Sequence, residues 1–192
     1  MNLLQRLKIE TARDHDRIEK AFDLEAKTRS LPAYRDLLGR LYGFHAVWEP
    51  LVELALADPE FFRKRQKIRL LRTDLRDLGM NGDGIARLAL CHPAVTMRTP
   101  AEAWGSMYVV EGSTLGGVII ARHIERRLGL NRHNGCHYFC CYGTDVRQMW
   151  TSFGAKLLAR CGPGEEDAVV AAACRTFETL YYWLCGRCGS SN

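Results

Sequence analysis

The chain has 192 residues, of which 47% are hydrophobic and 26% charged, and its formal net charge is +5 at pH 7. This composition suits one globular domain over residues 1–192, with a frayed tail from about residue 186. The mildly basic charge could favour an anionic ligand. It does not indicate nucleic-acid binding, because no clustered basic footprint with aromatic residues and no known binding module is present.

Helical periodicity runs through almost the whole chain. Apolar positions recur every three or four residues over 3–22 and 31–57, and Pro50 is expected to kink the second helix. A basic amphipathic helix over 65–78 and a short helix over 85–90 follow. Further helices are expected at about 144–160 and 165–185, after an irregular segment over 130–143. Because no alternating strand pattern occurs, the sequence predicts an all-α, single-domain helical bundle.

The stretch from Thr99 to Gly129 is predicted to form the central helix. Thr99 can cap its start, Pro100 suits the first helical position, and Glu102 is expected to complete a capping box with Thr99. Gly129 can close the helix. These signals fix both ends of the element.

Three glycines fall inside this helix, where each costs about 1 kcal/mol relative to alanine. Gly112 and Gly116 are one turn apart, and Ser113 and Gly117 form a second such pair beside them, so one face carries almost no side chains. This pattern is typical of close helix-on-helix packing. The alternative is a planar ligand lying against the bare backbone.

The first helix carries a candidate ligand for that site. His15 interrupts the apolar stripe, so its imidazole is expected to point inward, either as a core residue or as a ligand. Glu19, one turn later, could accept the Nδ1 proton and leave Nε2 free for a metal, and Lys8, two turns earlier, could meet a ligand's carboxylate. Together with the bare helix face these residues describe a flat, acidic, metal-centred ligand, which haem fits.

Two motifs resemble those of the haem oxygenase family, particularly bacterial members that supply bilin to bacteriophytochromes. LKIETARDHDRIE is similar to the family's proximal-helix pattern, and YVVEGSTLGG is similar to its distal-helix pattern. With weaker likeness elsewhere, the resemblance covers most of residues 3–184. It implies a haem-oxygenase-like fold.

The resemblance also implies roles for individual residues. His15 would be the proximal iron ligand and Glu19 its orienting partner. Further implied roles are propionate contacts at Lys8, Tyr108 and Arg147, an apolar pocket wall at Phe177, and a distal wall formed by Gly112, Ser113, Gly116 and Gly117. His45 is interpreted as a packing residue, with a place beside the distal water network as the alternative, and His123 as structural.

The activity implied is oxidation of haem, which is both substrate and cofactor, to biliverdin, carbon monoxide and ferrous iron. Oxygen and electrons from a separate ferredoxin- or flavoprotein-type reductase are needed, and a bacteriophytochrome is a candidate bilin acceptor. The basic run from Arg63 to Lys67, with Arg69 and Arg72, is interpreted as either a donor-docking surface or a solvated helix face. Some family members carry Asp or Asn where this chain has Ser113 or Thr114, so a haem- or bilin-binding carrier or sensor without turnover is the rival hypothesis.

Eight cysteines are present, seven of them after residue 130. The group Cys136, His137, Cys140 and Cys141 and the pair Cys185 and Cys188 could bind zinc or another metal, but neither completes a standard zinc pattern, so buried or incidental thiols are the alternative. The start lacks the hydrophobic core of a signal peptide, and no run approaches transmembrane length. We therefore expect a cytoplasmic protein with no membrane segment and mostly reduced thiols.

Overall fold

The computed structural model describes residues 1–92 and 96–186. These residues form ten α-helices, one 3₁₀ helix at Gly143–Asp145 and no strand. The predicted frayed tail lies largely outside the described residues. The α-helices are α1 Leu3–Glu10, α2 Ala12–Ala21, α3 Leu24–Lys27, α4 Leu31–Leu56, α5 Pro59–Arg63, α6 Ile68–Asp77, α7 Gly82–Ala86, α8 Pro100–Leu128, α9 Val146–Arg160 and α10 Glu166–Cys185.

Helix α8 is the centre of the bundle. It packs most extensively along α10 and also contacts α4 and α9. The close approach to α10 depends on Gly105, because a Cβ at this position would collide with the carbonyl oxygen of Val169. Beside it, the hydroxyl of Ser106 accepts hydrogen bonds from Nε1 of Trp48 at 2.7 Å and from the hydroxyl of Thr176 at 2.8 Å. These contacts fix the first half of α8 in the core.

The two ends of α8 lie where the sequence predicts them. The Thr99 hydroxyl accepts a hydrogen bond from the Glu102 backbone N–H at 3.2 Å, and Gly129 closes the helix with φ of 69°. The predicted capping box is wrong in one detail. The Glu102 carboxylate accepts the Arg98 N–H at 2.7 Å and makes no return bond to Thr99.

The amino-terminal region departs from the predicted single helix over 3–22. The helix is interrupted at Thr11, whose hydroxyl donates to the carbonyl oxygen of Leu7 at 2.8 Å. Such back-bonding by threonine commonly bends a helix. α1 buries Leu3 and Leu7, whereas no residue of α2 is fully buried. The break therefore separates a core-packed helix from one that lies at the surface.

The remaining helices follow the prediction with local shifts. α4 continues through Pro50 to Leu56, and the short helices α3 and α5 were not predicted. α7 occupies Gly82–Ala86 rather than 85–90. α6 begins at Ile68 rather than at residue 65. Among the described residues, no helix is long and apolar enough to span a membrane.

Candidate functional site

His15 and Glu19 lie one turn apart on α2, and both side chains are exposed. Nδ1 of His15 is 3.5 Å from Oε2 of Glu19, with the side chains 53% and 65% exposed. The ring of Phe177, on α10, meets the imidazole edge-on at 5.8 Å between ring centroids. The prediction that His15 points into the core is wrong, because α2 packs mainly against α10 and buries no residue fully. Nε2 is left without a hydrogen-bond partner among the described residues.

The glycine segment of α8, residues 112–117, is partly packed and partly open. A Cβ at Gly117 would lie 3.2 Å from the carbonyl oxygen of Phe139, and one at Gly112 would meet the Trp150 ring at 3.7 Å. A Cβ at Gly116 would meet nothing within 4 Å, and Gly116 and Ser113 are both exposed. The two interpretations of the pattern therefore apply to different residues. Gly117 permits close packing, and Gly116 leaves bare backbone.

The chain contacts α8 at two points, one before α2 and one after α3. The first is at Thr11, whose hydroxyl lies close enough to the Tyr108 phenol to affect the pKa of that phenol. The second is at the end of α3, where the hydroxyl of Thr28 lies 2.8 Å from Nε2 of His123. The exposed His–Glu pair of α2 and the glycine segment of α8 lie between these two contacts. Along the chain, the two contacts therefore flank both predicted surfaces of the site. The surface between the two contacts is called the strip below.

The candidate anion-binding residues gather at the Thr11 end of this strip. Tyr108 lies near Thr11, and Thr11 is three residues after Lys8. The centroid of the Tyr108 ring lies 5.6 Å from that of Trp150, and Trp150 is three residues after Arg147. Three residues are about one helical turn. Lys8 and Arg147 are exposed, and neither side chain has a hydrogen bond or ion pair within the described part of the chain. Burial raises the pKa of the Tyr108 phenol, against an opposing effect of the Thr11 hydroxyl.

A buried ionic cluster lies behind the glycine segment, and the sequence did not predict it. Glu111 accepts hydrogen bonds through Oε1 from Nζ of Lys67 at 3.0 Å and from the hydroxyl of Tyr142 at 2.9 Å. Nε of Arg65 lies 3.3 Å from its Oε2. These four residues are named the Glu111 cluster below. The only sequence signal was the acidic residue that interrupts an apolar helix.

The Glu111 cluster corrects the interpretation of the basic run at 63–67. Arg65 and Lys67 are 3% and 2% exposed, so neither belongs to a docking surface or to a solvated helix face. The guanidinium of Arg65 also stacks on Phe61 at 3.8 Å from the ring centroid. Arg63, Lys64, Arg69 and Arg72 are exposed and remain as the surface part of the run.

His45 is buried and both of its ring nitrogens are occupied. Nδ1 lies 3.0 Å from Oε1 of Glu49, and Nε2 lies 3.2 Å from the hydroxyl of Tyr138. The same Glu49 oxygen accepts the backbone N–H groups of Lys67 at 2.7 Å and Ile68 at 2.9 Å. This geometry agrees with the packing interpretation of His45. The bond from His123 to Thr28 likewise suits a structural role.

The cysteine-rich segment is held by carboxylates rather than by thiols. Asp74 accepts the backbone N–H groups of His137 at 2.7 Å and Tyr138 at 2.9 Å, and lies 2.8 Å from Nδ1 of His137. The seven cysteines within residues 1–92 and 96–186 are free, and burial raises the pKa of the Cys136 thiol to about 12. Cys188 lies outside the described residues. The two groups with metal-compatible spacing within those ranges contain no cysteine; they are His15, Asp16 and Glu19, and Asp74, Asp77 and His137.

Comparison with solved structures identifies the class of fold. The NO- and CO-bound heme oxygenase from Neisseria meningitidis is 20% identical with a TM-score of 0.74, over 96% of this chain and 90% of that chain. Heme oxygenase 2 from Chlamydomonas reinhardtii, solved without heme, is 18% identical with a TM-score of 0.77, over 96% of each chain. This likeness confirms the predicted all-α, haem-oxygenase-like helical fold.

The sequence comparisons identify the family. The sequence model of the family described as Heme oxygenase matches residues 1–184, so the chain belongs to the heme oxygenase family. A curated protein named Heme oxygenase, from Xanthomonas campestris pv. campestris (strain 8004), is 36% identical over 110 residues. That match covers 56% of this chain and 61% of the relative, so the aligned segment spans about three fifths of the relative's length.

Proposed function

We propose that this protein is a haem oxygenase that binds haem between α2 and the glycine segment of α8 and cleaves it to biliverdin, carbon monoxide and ferrous iron. Membership of the family supports the activity. The observation that carries the proposed site is the exposed imidazole of His15, on a strip that also carries bare backbone at Gly116. Nδ1 of His15 lies beside Glu19, and Nε2 has no partner within residues 1–92 and 96–186. A neutral imidazole oriented by a carboxylate is the usual form of a histidine that holds a metal.

The side chains around this strip fit a flat, dianionic ligand. His15 would hold the iron through Nε2, Glu19 would fix the orientation of the ring, and the edge of Phe177 would limit its rotation. Lys8 and Arg147 have no ion-pair partner in the described part of the chain, and with the hydroxyl of Tyr108 they could bind the two carboxylates. When bound, haem supplies the iron at which oxygen is activated.

The distal side of the site has no free acidic proton donor in this segment. The hydroxyl of Ser113 donates to the Val110 carbonyl at 2.8 Å, and that of Thr114 donates to the Glu111 carbonyl at 2.6 Å. Each hydroxyl has a single proton, so both are engaged by the helix backbone. Ser113 and Gly116 can still orient water through their oxygens, and water is then the proton source.

The same observation favours the second candidate, a carrier or sensor that binds haem or bilin without turnover. Anaerobically loaded protein, given a ferredoxin- or flavoprotein-type reductase and oxygen, separates the two functions. We expect loss of the haem absorption, growth of a bilin band and release of carbon monoxide. A haem spectrum that persists through these additions would support the carrier or sensor.

The electron donor and the compartment are also proposals. We propose an acidic ferredoxin or flavoprotein as donor, because Arg63, Lys64, Arg69 and Arg72 remain exposed on the α5 to α6 region. A bacteriophytochrome is the proposed bilin acceptor, from the resemblance of the two motifs. The free cysteines within the described residues support a reducing cytoplasmic compartment.

A further inference from the structure

The Glu111 cluster joins α8 to two other parts of the chain at one point. Lys67 and Arg65 come from the connection between α5 and α6, and Tyr142 comes from the segment before α9. Nζ of Lys67 also donates to the Arg65 carbonyl at 3.0 Å and to the Tyr142 hydroxyl at 3.1 Å, so all three of its protons are used. The Glu111 carboxylate is thus the shared acceptor of the cluster.

The cluster remains ionic although it is buried. Burial alone would lower the pKa of Lys67, but the adjacent carboxylate of Glu111 outweighs this effect and the pKa lies above its ordinary value. A buried carboxylate with two cationic partners is held in one position, because moving it would leave charge without a partner in a medium of low dielectric constant. Glu111 therefore restrains the backbone of α8 at its own position.

Glu111, where the backbone is restrained, directly precedes the glycine segment. Among the three glycines of this segment, only Gly117 makes a tight contact, with the Phe139 carbonyl. On the same side, α8 borders a cavity of about 260 Å³, whose walls include Thr114 before Gly117, Val118 after it, and Tyr142. Glycine backbone has little resistance of its own to bending. The backbone position of residues 112–117 consequently depends on the Glu111 ion pair and on the contact of Gly117 with Phe139.

We infer that Glu111 is a positioning residue: its ion pair with Lys67 sets where the glycine segment stands relative to His15. The inference about backbone position depends on the apoprotein alone. Its consequence for catalysis rests on the proposed function. If the glycine backbone limits which porphyrin edge activated oxygen can reach, then releasing Glu111 broadens the choice of meso carbon.

Amide hydrogen exchange of the apoprotein tests the positional inference. Glu111→Gln keeps the shape of the side chain and removes the charge, and we expect exchange over residues 109–118 at least tenfold faster than in the parent protein. Ser106→Ala is the matched control, because it removes a buried acceptor from the same helix, about one and a half turns before Glu111. There the Ser106 hydroxyl accepts hydrogen bonds from Trp48 and Thr176. The control should leave exchange over 109–118 at the parent rate.

A double variant separates the ion pair from general destabilisation. Glu111→Gln with Lys67→Met removes both charges of the pair and avoids an unmatched lysine, and it should retain the fast exchange of the glycine segment. Equal exchange over 109–118 in Glu111→Gln and Ser106→Ala would overturn the inference. Loss of the helical fold in both Glu111 variants would also overturn it, because the cluster would then support the whole bundle.

Product analysis tests the catalytic consequence. With haem, oxygen and a reductase, Glu111→Gln should give a mixture of bilin isomers where the parent protein and Ser106→Ala give the same dominant isomer. An unchanged isomer in Glu111→Gln would overturn the link between the cluster and the site of cleavage. Failure of the parent protein to form any bilin would refute the proposed function instead, and the exchange experiment would still decide the role of Glu111.

Discussion

Two histidine–glutamate pairs of the same spacing lie in different surroundings in this molecule. His15 and Glu19 on α2, and His45 and Glu49 on α4, are each one helical turn apart with Nδ1 facing the carboxylate. The first pair is separated by 3.5 Å and more than half exposed. The second is separated by 3.0 Å, with side chains only 2% and 4% exposed. Sequence spacing alone cannot distinguish them.

This difference in burial determines what each pair can do. In the buried pair, Tyr138 occupies Nε2 of the histidine, and Oε1 of the glutamate accepts three N–H groups, so the pair fastens α4 to neighbouring segments. In the exposed pair Nε2 has no such partner among the described residues. A buried pair whose ring nitrogens and one carboxylate oxygen are all hydrogen-bonded contributes stability, whereas an exposed pair contributes little and keeps a nitrogen available for a ligand.

Replacing each histidine by alanine should give the largest contrast. His15→Ala should abolish the native haem-ligation spectrum and lower biliverdin formation at least a hundredfold, because the proposed iron ligand is lost. His45→Ala should keep the ligation spectrum. Haem absorption and single-turnover bilin formation measure both outcomes. An unchanged spectrum in His15→Ala would place the axial ligand elsewhere.

When each glutamate is replaced, the buried pair should show the larger loss of stability. Glu49→Ala leaves three buried N–H donors without their acceptor and should lower the free energy of unfolding by about 3 kcal/mol or more. Glu19→Ala should change it by less than about 0.5 kcal/mol, as expected of an exposed side chain. Urea unfolding of the apoproteins provides both values.

For haem affinity, Glu19→Ala should have the larger effect of the two variants. Glu19→Ala should weaken haem binding about tenfold or more, because a partner that orients a metal-binding histidine commonly contributes that much. Equal losses of stability in the two variants would show that burial does not separate the pairs.

The pH dependence of stability tests the buried pair in a second way. Burial lowers the pKa of His45 below its ordinary value. Below about pH 6.5 the unfolded chain therefore binds a proton that the folded protein does not, and stability falls as the pH decreases, by at most about 1.4 kcal/mol per pH unit from this group. His45→Gln should reduce this slope between about pH 6.5 and 5. Parallel slopes for the parent and the variant would show that His45 is not the responsible group.

Sequence reasoning succeeded where the determining interactions are local. The ends of α8 follow from Thr99, Pro100 and Gly129, because a helix cap involves residues within one turn. The glycine segment and the one-turn spacing of His15 and Glu19 were likewise readable, since both depend only on helical geometry. The assignment of these residues to a haem site stays a prediction.

Burial could not be read in the same way, because it depends on distant partners. Lys67 lies in the same basic run as the exposed Lys64, and it is buried because it meets Glu111, 44 residues away along the chain. The exposure of His15 was misjudged for a related reason. Helical period gives the face on which a residue lies, but whether another element covers that face is decided by tertiary packing.

The smallest expected effect concerns the exposed side of the comparison. Lys8 lies in the last turn of α1 without an ion-pair partner among the described residues, and Lys8→Ala should weaken haem binding about two- to fivefold, which is typical of one exposed charge pair. Lys20→Ala is the matched control, because Lys20 is an exposed lysine in the last turn of α2, far along the strip from Tyr108. Haem titration at low and high salt measures both, and the Lys8 effect should shrink at high salt because screening weakens exposed pairs. Equal losses in the two variants would mean that net charge, rather than the position of Lys8, attracts the carboxylates.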